Sequence, residues 1–386
     1  DVYLVAVEDT YLQDYQLTLL DHDSGEITFT AKVSGEALAN QSITLSIPKL
    51  GFRQSFQTDI EGQIQANFTP DELDLWSPDN PHLYEVELSL NESVITDQIG
   101  FRTVEAKGAQ ILINGVPTFL KGICMHEENP LKQGRANSLA DARVLLGWAE
   151  ELGCNFVRLA HYPHNEHIVR LADQMGIMLW SEIPVYWTIA WENAGTLANA
   201  RQQLKEMIHR DHNRASIIIW SIGNETPNSD ARMNFMTTLA SDARALDDSR
   251  LVSAALELNY INLYTAELED PLAPSLDLMS FNEYLGWYGP HSFEQIGDFK
   301  LTFAYDKPAI ISETGGGATP GFHADEDTRW SEEFQESLYK GQLRMLDQHR
   351  DRITGFAPWI LADFRSPRRP HPKYQKGWNR KGLISN

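Results

Sequence analysis

The spacing of apolar residues changes once along the chain, near residue 105. Before that point the apolar positions alternate with polar ones, as in GEITFTAKV, QSITLSI and HLYEVELSL, and turn-rich pieces such as SPDNP separate the runs. A period of two places successive side chains on opposite faces of a strand, so these runs predict half-buried antiparallel strands. Several short strands within about 100 residues predict an immunoglobulin-like β-sandwich over residues 1–105.

Beyond residue 105 the apolar residues run together, and helical sequence follows most of the runs. FLKGICM precedes SLADARVLLGWAEELG, NFVRLA precedes NEHIVRLADQMG, and IMLWSEI precedes LANARQQLKEMIHRD. SIIIWSI, LVSAAL, LDLMSFN, PAIISE and GFAPWI continue the series to eight. Continuously apolar strands alternating with helices predict a parallel sheet covered on its outer face. Eight units predict an α/β fold, a TIM (β/α)8 barrel over residues 106–386. A doubly wound sheet is disfavoured because no glycine-rich phosphate loop follows an early strand. After the eighth run the chain reaches only Asn386 with no amphipathic segment, so the eighth helix is expected to be missing.

Composition narrows the partners. A formal net charge of -22 repels nucleic acid and anionic membrane, and no apolar run approaches the ~18 residues of a membrane-spanning helix. Neither partner is expected. Two cysteines, Cys124 and Cys154, provide no disulfide framework and leave the compartment open. Against this acidic background residues 365–381, RSPRRPHPKYQKGWNRK, hold seven Lys or Arg and no Asp or Glu.

In a TIM barrel the chemistry sits where the strands end. IIIWSIGNET places Asn224 and Glu225 after the fourth strand, and PAIISETGGG places Glu313 after the seventh. Either glutamate alone reads as an exposed carboxylate behind a strand. Two, on opposite parts of one ring, suit glycoside hydrolysis, where one carboxyl protonates the leaving oxygen and the other attacks the sugar carbon. Asn224 could hold the neighbouring sugar hydroxyl or simply cap a loop.

WSIGNE, residues 220–225, resembles the acid/base signature of glycoside hydrolase family 2, which contains β-galactosidases, β-mannosidases and β-glucuronidases. FLKGICMHEENP, NFVRLAHYPHNEHIVRLADQMGIMLWSEIP, SFNEYLGWYG and PAIISETGGG resemble further family segments in the same order, over nearly the whole chain. The resemblance implies that Glu225 is the acid/base and Glu313 the nucleophile of a retaining mechanism. It also implies a further, sugar-binding sandwich ahead of this one, for which residues 1–386 are expected to hold no counterpart.

Tyr284 matches a family tyrosine near the nucleophile, or is a buried structural tyrosine; Arg158, inside the second strand, matches a family arginine there and reads equally well as half of a barrel-interior ion pair. His126, Glu127 and His161 are expected to bind hydroxyls or support the carboxylates. No HExxH or similar close spacing appears, so neither metal nor organic cofactor is expected. Trp359 offers a flat wall for a sugar face, or packs in the core. NRK, residues 379–381, resembles the Asn-x-Lys motif of family 2 β-glucuronidases, which implies that Asn379 and Lys381 grip a substrate carboxylate, with Tyr288 as a further contact. Arg365, Arg368 and Arg369 are either solvated charge or contacts to further anionic groups. SPRRPHP departs from the glycine-containing loop of better-known members and leaves glucuronate and galacturonate both open.

The expected function is therefore exo-acting cleavage of terminal β-linked uronic acid by a β-glucuronidase-like hydrolase. The expected partner is an anionic carbohydrate, and a homo-oligomer is compatible with the sequence. A β-galactosidase would leave the NRK match coincidental. A non-catalytic carbohydrate-binding protein is opposed by the intact pair of glutamates.

Overall fold

The computed structural model describes residues 4–132 and 134–385; the first three residues of the predicted sandwich and the last residue of the predicted barrel lie outside them. Seven antiparallel strands come first: β1 (Thr10–Leu19), β2 (Ile27–Gly35), β3 (Ser42–Ile47), β4 (Phe52–Gln57), β5 (Gln63–Phe68), β6 (Tyr84–Leu90) and β7 (Ser93–Ile99). They form two sheets, ordered β1-β2-β5 and β4-β3-β6-β7. The alternating residues face inward as expected: Ile27, Phe29, Ala31 and Val33 of β2 and Ile43, Leu45 and Ile47 of β3 are buried in one shared core.

All eight apolar runs become strands of one closed parallel barrel. These are β8 (Leu120–Met125), β9 (Phe156–Leu159), β10 (Met178–Glu182), β11 (Ile217–Asn224), β12 (Leu251–Leu256), β13 (Met279–Asn282), β14 (Ala309–Glu313) and β15 (Ile353–Phe356). Helices α1 (Leu139–Glu151), α2 (Glu166–Met175), α3 (Ala194–Asp211), α4 (Asp230–Leu246), α5 (Phe293–Gly297) and α6 (Glu332–Gln348) connect them. Each of the five long helices starts after a Ser or Asn whose side chain accepts a first-turn amide: Ser138, Asn165, Asn193, Ser229 and Ser331. Such a cap is worth about 1 kcal/mol. Gly176, at φ 73°, closes α2 in the left-handed conformation that glycine adopts without strain.

Two elements differ from the sequence reading. Between β12 and β13 the crossover is made by short strands and a 3-10 turn rather than a long helix. The eighth strand ends at Phe356, so Trp359 lies beyond it.

The sandwich is locked under the barrel's amino-terminal end. Trp76 is fully buried with Phe156, Met178 and Trp180, and its indole donates to the carbonyl of Asp173 at 2.8 Å. The Arg102 guanidinium donates to the carbonyls of Ala215 (3.1 Å) and Ile217 (2.7 Å). Apolar packing thus fills the lower barrel and leaves the carboxyl ends of the strands for polar chemistry.

Candidate active site

At that opposite end, Arg158 of β9 is completely buried and organises five residues. It donates to Glu313 at 2.9 Å, to Asn224 at 2.7 Å and to both oxygens of Glu182 at 3.2 Å, with the His161 ring 3.3 Å away. Its guanidinium also lies 5.0 Å from the centre of the Trp180 ring. A buried cation is costly unless its charge is matched, and here two carboxylates match it, although among the described residues the Arg158 Nε–H finds no acceptor.

Glu313 closes β14. Its second oxygen accepts the Tyr284 hydroxyl at 2.6 Å, and His161 Nε2 stands 3.5 Å from its first. Burial pushes its pKa above the ordinary carboxylate value, and the Glu225 charge adds to that shift. Arg158, His161 and the Tyr284 hydroxyl work in the opposite direction. Tyr284 is in turn pushed well up by burial and by Glu313, so it stays a neutral donor.

Asn224 and Glu225 reach the mouth through an irregularity in β11. The pairing of β11 with β12 shifts register between Ser221 and Asn224. Gly223 allows the close approach there, because a side chain would meet Met236 Cε at 2.6 Å. Glu225 has φ 47°, a left-handed backbone uncommon for a residue with a side chain. The carbonyl oxygen of Asn224 accepts from Arg158 and, at 3.1 Å, from Asn282, which leaves its NH2 group to donate outward. Glu225 is half-buried and accepts the Trp187 indole N–H at 2.8 Å.

Glu182 was not singled out in the sequence, although it ends β10 just as Glu313 ends β14. Burial opposes its ionisation, but Arg158 and His161 hold its pKa down at about 2. Trp187 and Asn282 were missed too. Neither is distinctive in a single sequence: each acts only through a neighbour from another strand.

Glu127 departs from expectation. Its carboxylate is taken by Arg135 and by the backbone N–H of Asn165, at the start of α2, so it braces two loops rather than facing a ligand. His126 is held by its Nδ1 at 2.9 Å from the Ala160 carbonyl and lies edge-on to Phe364 and Trp359. Burial, with His161 and His164 nearby, lowers its pKa to about 3. Trp359 is buried and stacks on His161 with ring centres 5.0 Å apart.

The cationic stretch folds back over this site. A short ladder pairs Phe364 with Asn379 and Arg365 with Trp378. Asp363 accepts from Arg380 at 2.8 Å and from the Gly382 N–H at 2.9 Å, which ties down the residues on both sides of Lys381. Lys381 is only 4% exposed and makes no ion pair among the described residues. Its ammonium donates to the Tyr288 hydroxyl at 2.7 Å and sits 4.1 Å and 4.4 Å from the ring centres of Tyr284 and Tyr288. Burial, then the Arg369 charge, pushes its pKa well below the ordinary lysine value, while Glu313 and Glu225 pull it back. Asn379 is buried beside it and accepts the Lys381 N–H at 3.2 Å.

The barrel, with glutamates after its fourth and seventh strands and a buried arginine beside the second of them, fits a known class, and the chain belongs to it: family 2 of the glycosyl hydrolases. The family's TIM barrel domain matches residues 104–377, and a second domain of the same family matches residues 10–102. Rat (Rattus norvegicus) β-glucuronidase is 29% identical over 409 residues, which cover all of this chain and 60% of the relative; the human enzyme is 28% identical over 406 residues, covering 96% and 58%. The chain therefore spans somewhat under two thirds of the length of these relatives. A family 2 β-galacturonidase from Eisenbergiella tayi, solved with galacturonate bound, is 25% identical and superposes with a TM-score of 0.83 over 98% of this chain and 70% of that one. The β-D-glucuronidase of Dictyoglomus thermophilum gives 0.79 at 25% identity, over 97% and 66%.

Proposed function

We propose that this chain carries the active site of a retaining, exo-acting β-uronidase of the β-glucuronidase type, and that the two units divide near residue 105. The end of the last sandwich strand at Ile99 and the packing of Ile111 and Ile113 beneath the barrel support that division. In the reaction, Glu225 protonates the glycosidic oxygen while Glu313 attacks the anomeric carbon. The resulting glycosyl ester is then hydrolysed by a water that Glu225 deprotonates. Arg158 and Tyr284 keep Glu313 ionised and aimed despite its burial. The outward NH2 of Asn224 is placed to hold the sugar hydroxyl beside the reacting carbon.

The observation that carries the uronide reading is Lys381. A buried ammonium with aromatic neighbours and no carboxylate partner is costly, and a substrate carboxylate would offset that cost. Asn379 and Tyr288 would complete the grip. The relatives' activities agree with this reading, as does the galacturonate bound to the E. tayi protein.

The test is kcat/KM of the full-length enzyme on nitrophenyl β-glucuronide, β-galacturonide and β-galactoside, for wild type and Lys381→Ala. The substitution is expected to cost acidic glycosides about 2 to 4 kcal/mol, roughly 30- to 1000-fold, and neutral ones little. Equal losses on acidic and neutral sugars, or a wild type that prefers the galactoside, would reject the uronidase reading in favour of a β-galactosidase.

A further inference from the structure

The walls of the site change character from the nucleophile outward. Trp359 and His161 stack in the buried interior; Tyr186 follows His161 at a ring separation of 5.9 Å, and Trp187 meets Tyr186 edge-on at 5.3 Å. Exposure rises along this series, from 6% at Trp359 to 41% at Tyr186 and 43% at Trp187. Trp187 also donates to Glu225, so its exposed ring face lies on the side of the proposed acid/base, where the leaving group departs.

Arg368 covers that ring, with its guanidinium 4.7 Å from the ring centre. Acids outnumber bases 54 to 32 in this chain, and some exposed arginines find carboxylates, as Arg201 does with Asp242 and Arg350 with Asp347. Among the described residues, neither Arg368 nor Arg369 makes an ion pair. The Arg369 guanidinium donates to the Tyr288 hydroxyl, at 3.2 Å, and so faces the same ring that Lys381 touches. Arg365 is different: it lies over Trp378, away from Trp187, and plays no part here.

The backbone presents these two arginines firmly. Pro367 and Pro370 flank them. The Arg369 N–H donates to Ser366 at 3.0 Å, and its carbonyl accepts from Gly377 at 2.9 Å. A proline-flanked turn loses little freedom on binding, and a guanidinium stacked on an indole keeps its in-plane N–H groups directed at a neighbour.

We propose that the rim beside Glu225, formed by Trp187 and Arg368 with Arg369 behind, is a leaving-group subsite for a sugar bearing an anionic group, either a carboxylate or a sulfate ester. This deepens the uronidase reading and rests on Glu225 as its acid/base. The natural substrate is then a fragment of an acidic polysaccharide, anionic on both sides of the scissile bond. Lys381 reads the charge on the terminal uronate, and Arg368 reads the charge on the next sugar, which departs. Planar bidentate bonding suits either oxyanion.

Three disaccharides that share a terminal β-glucuronosyl residue test the proposal on full-length enzyme: one with a neutral second sugar, one with its sulfate ester and one with a second uronic acid. At low salt the enzyme is expected to show kcat/KM about tenfold higher, or more, for at least one anionic disaccharide than for the neutral one, and the better of the two identifies the anion. Arg368→Ala should lower that anionic-to-neutral ratio about tenfold, Arg368→Glu should lower it further, and about 0.5 M salt should shrink it in the wild type. A wild-type ratio near one, or a ratio that neither substitution moves, would overturn the subsite. Failure to cleave all three disaccharides together with nitrophenyl β-glucuronide would instead overturn the uronidase reading, and the subsite with it.

Discussion

Two cationic regions lie within a few residues of the same glutamates, and they are built in opposite ways. Inside the barrel, Arg158 is matched by Glu182, Glu313 and Asn224, and Glu182 is saturated further by Trp180 and Ser221. Over the mouth, Lys381, Arg368 and Arg369 make no ion pair with protein carboxylates among the described residues. The difference separates two uses of charge. On the proposed mechanism a positioning charge must be balanced before substrate arrives, because it would hold Glu313 in place throughout the reaction. A recognition charge is useful only while it is unbalanced, since any resident carboxylate would compete with the ligand.

The largest expected effect breaks the interior. If Glu313 is the nucleophile as proposed, Glu313→Ala should lower kcat by about 10^4-fold or more on every substrate, because the ester would have no other group to form on. Glu225→Ala should instead spare glycosylation when the leaving group needs no protonation, and azide should partly restore turnover. Product analysis checks the roles: a β-azide is expected from Glu225→Ala, and an α-azide would exchange the two assignments.

A smaller effect sharpens the contrast through stability. Arg158→Ala strands two buried carboxylates and should cost about 3 to 5 kcal/mol, read as a lower midpoint in denaturant. Lys381→Met removes an unbalanced buried cation and should be neutral or stabilising by the same measurement. The pH dependence follows from Glu182, whose pKa of about 2 lies below its ordinary 4.5. Its contribution is complete above about pH 4.5 and is lost as the pH falls towards 2. In Arg158→Ala that acid-sensitive part should disappear. Equal midpoints for the two variants would dissolve the distinction between the regions.

The smallest effect concerns protonation at the mouth. In the proposed reaction Glu313 must be ionised to attack, and its pKa is raised, so kcat/KM should fall on the acid side at a pH above the ordinary carboxylate range. Lys381 must be protonated to bind a carboxylate, and its pKa is lowered, so uronide turnover should fall on the alkaline side below the ordinary lysine range. Lys381→Arg, which keeps its proton, should move that alkaline limb upward by about one pH unit or more. An unmoved limb would remove Lys381 from the titration.

Periodicity alone was enough for the architecture. Burial on both faces makes a strand uniformly apolar, and burial on one face makes it alternate, so every one of the eight apolar runs could be assigned before folding. The rule that chemistry follows strand ends singled out Asn224, Glu225 and Glu313, which the barrel brings to its carboxyl end, and applied evenly it would also have singled out Glu182. It misplaced Glu127 and extended the eighth strand to Trp359, because the position of a residue after a strand does not say which way its side chain turns.

What the sequence determined by itself is the order of elements and the residue types at the barrel mouth, since both follow from local spacing along one chain. Only the tertiary structure decided which charges are matched. Arg158 reaches Asn224, Glu182 and Glu313 from three other strands, Trp187 reaches Glu225 across 38 positions, and Lys381 meets Tyr288 across 93. Whether a buried cation is balanced depends on carboxylates within a few ångströms in space, and strand closure sets those distances with no trace in the spacing of the residues along the chain.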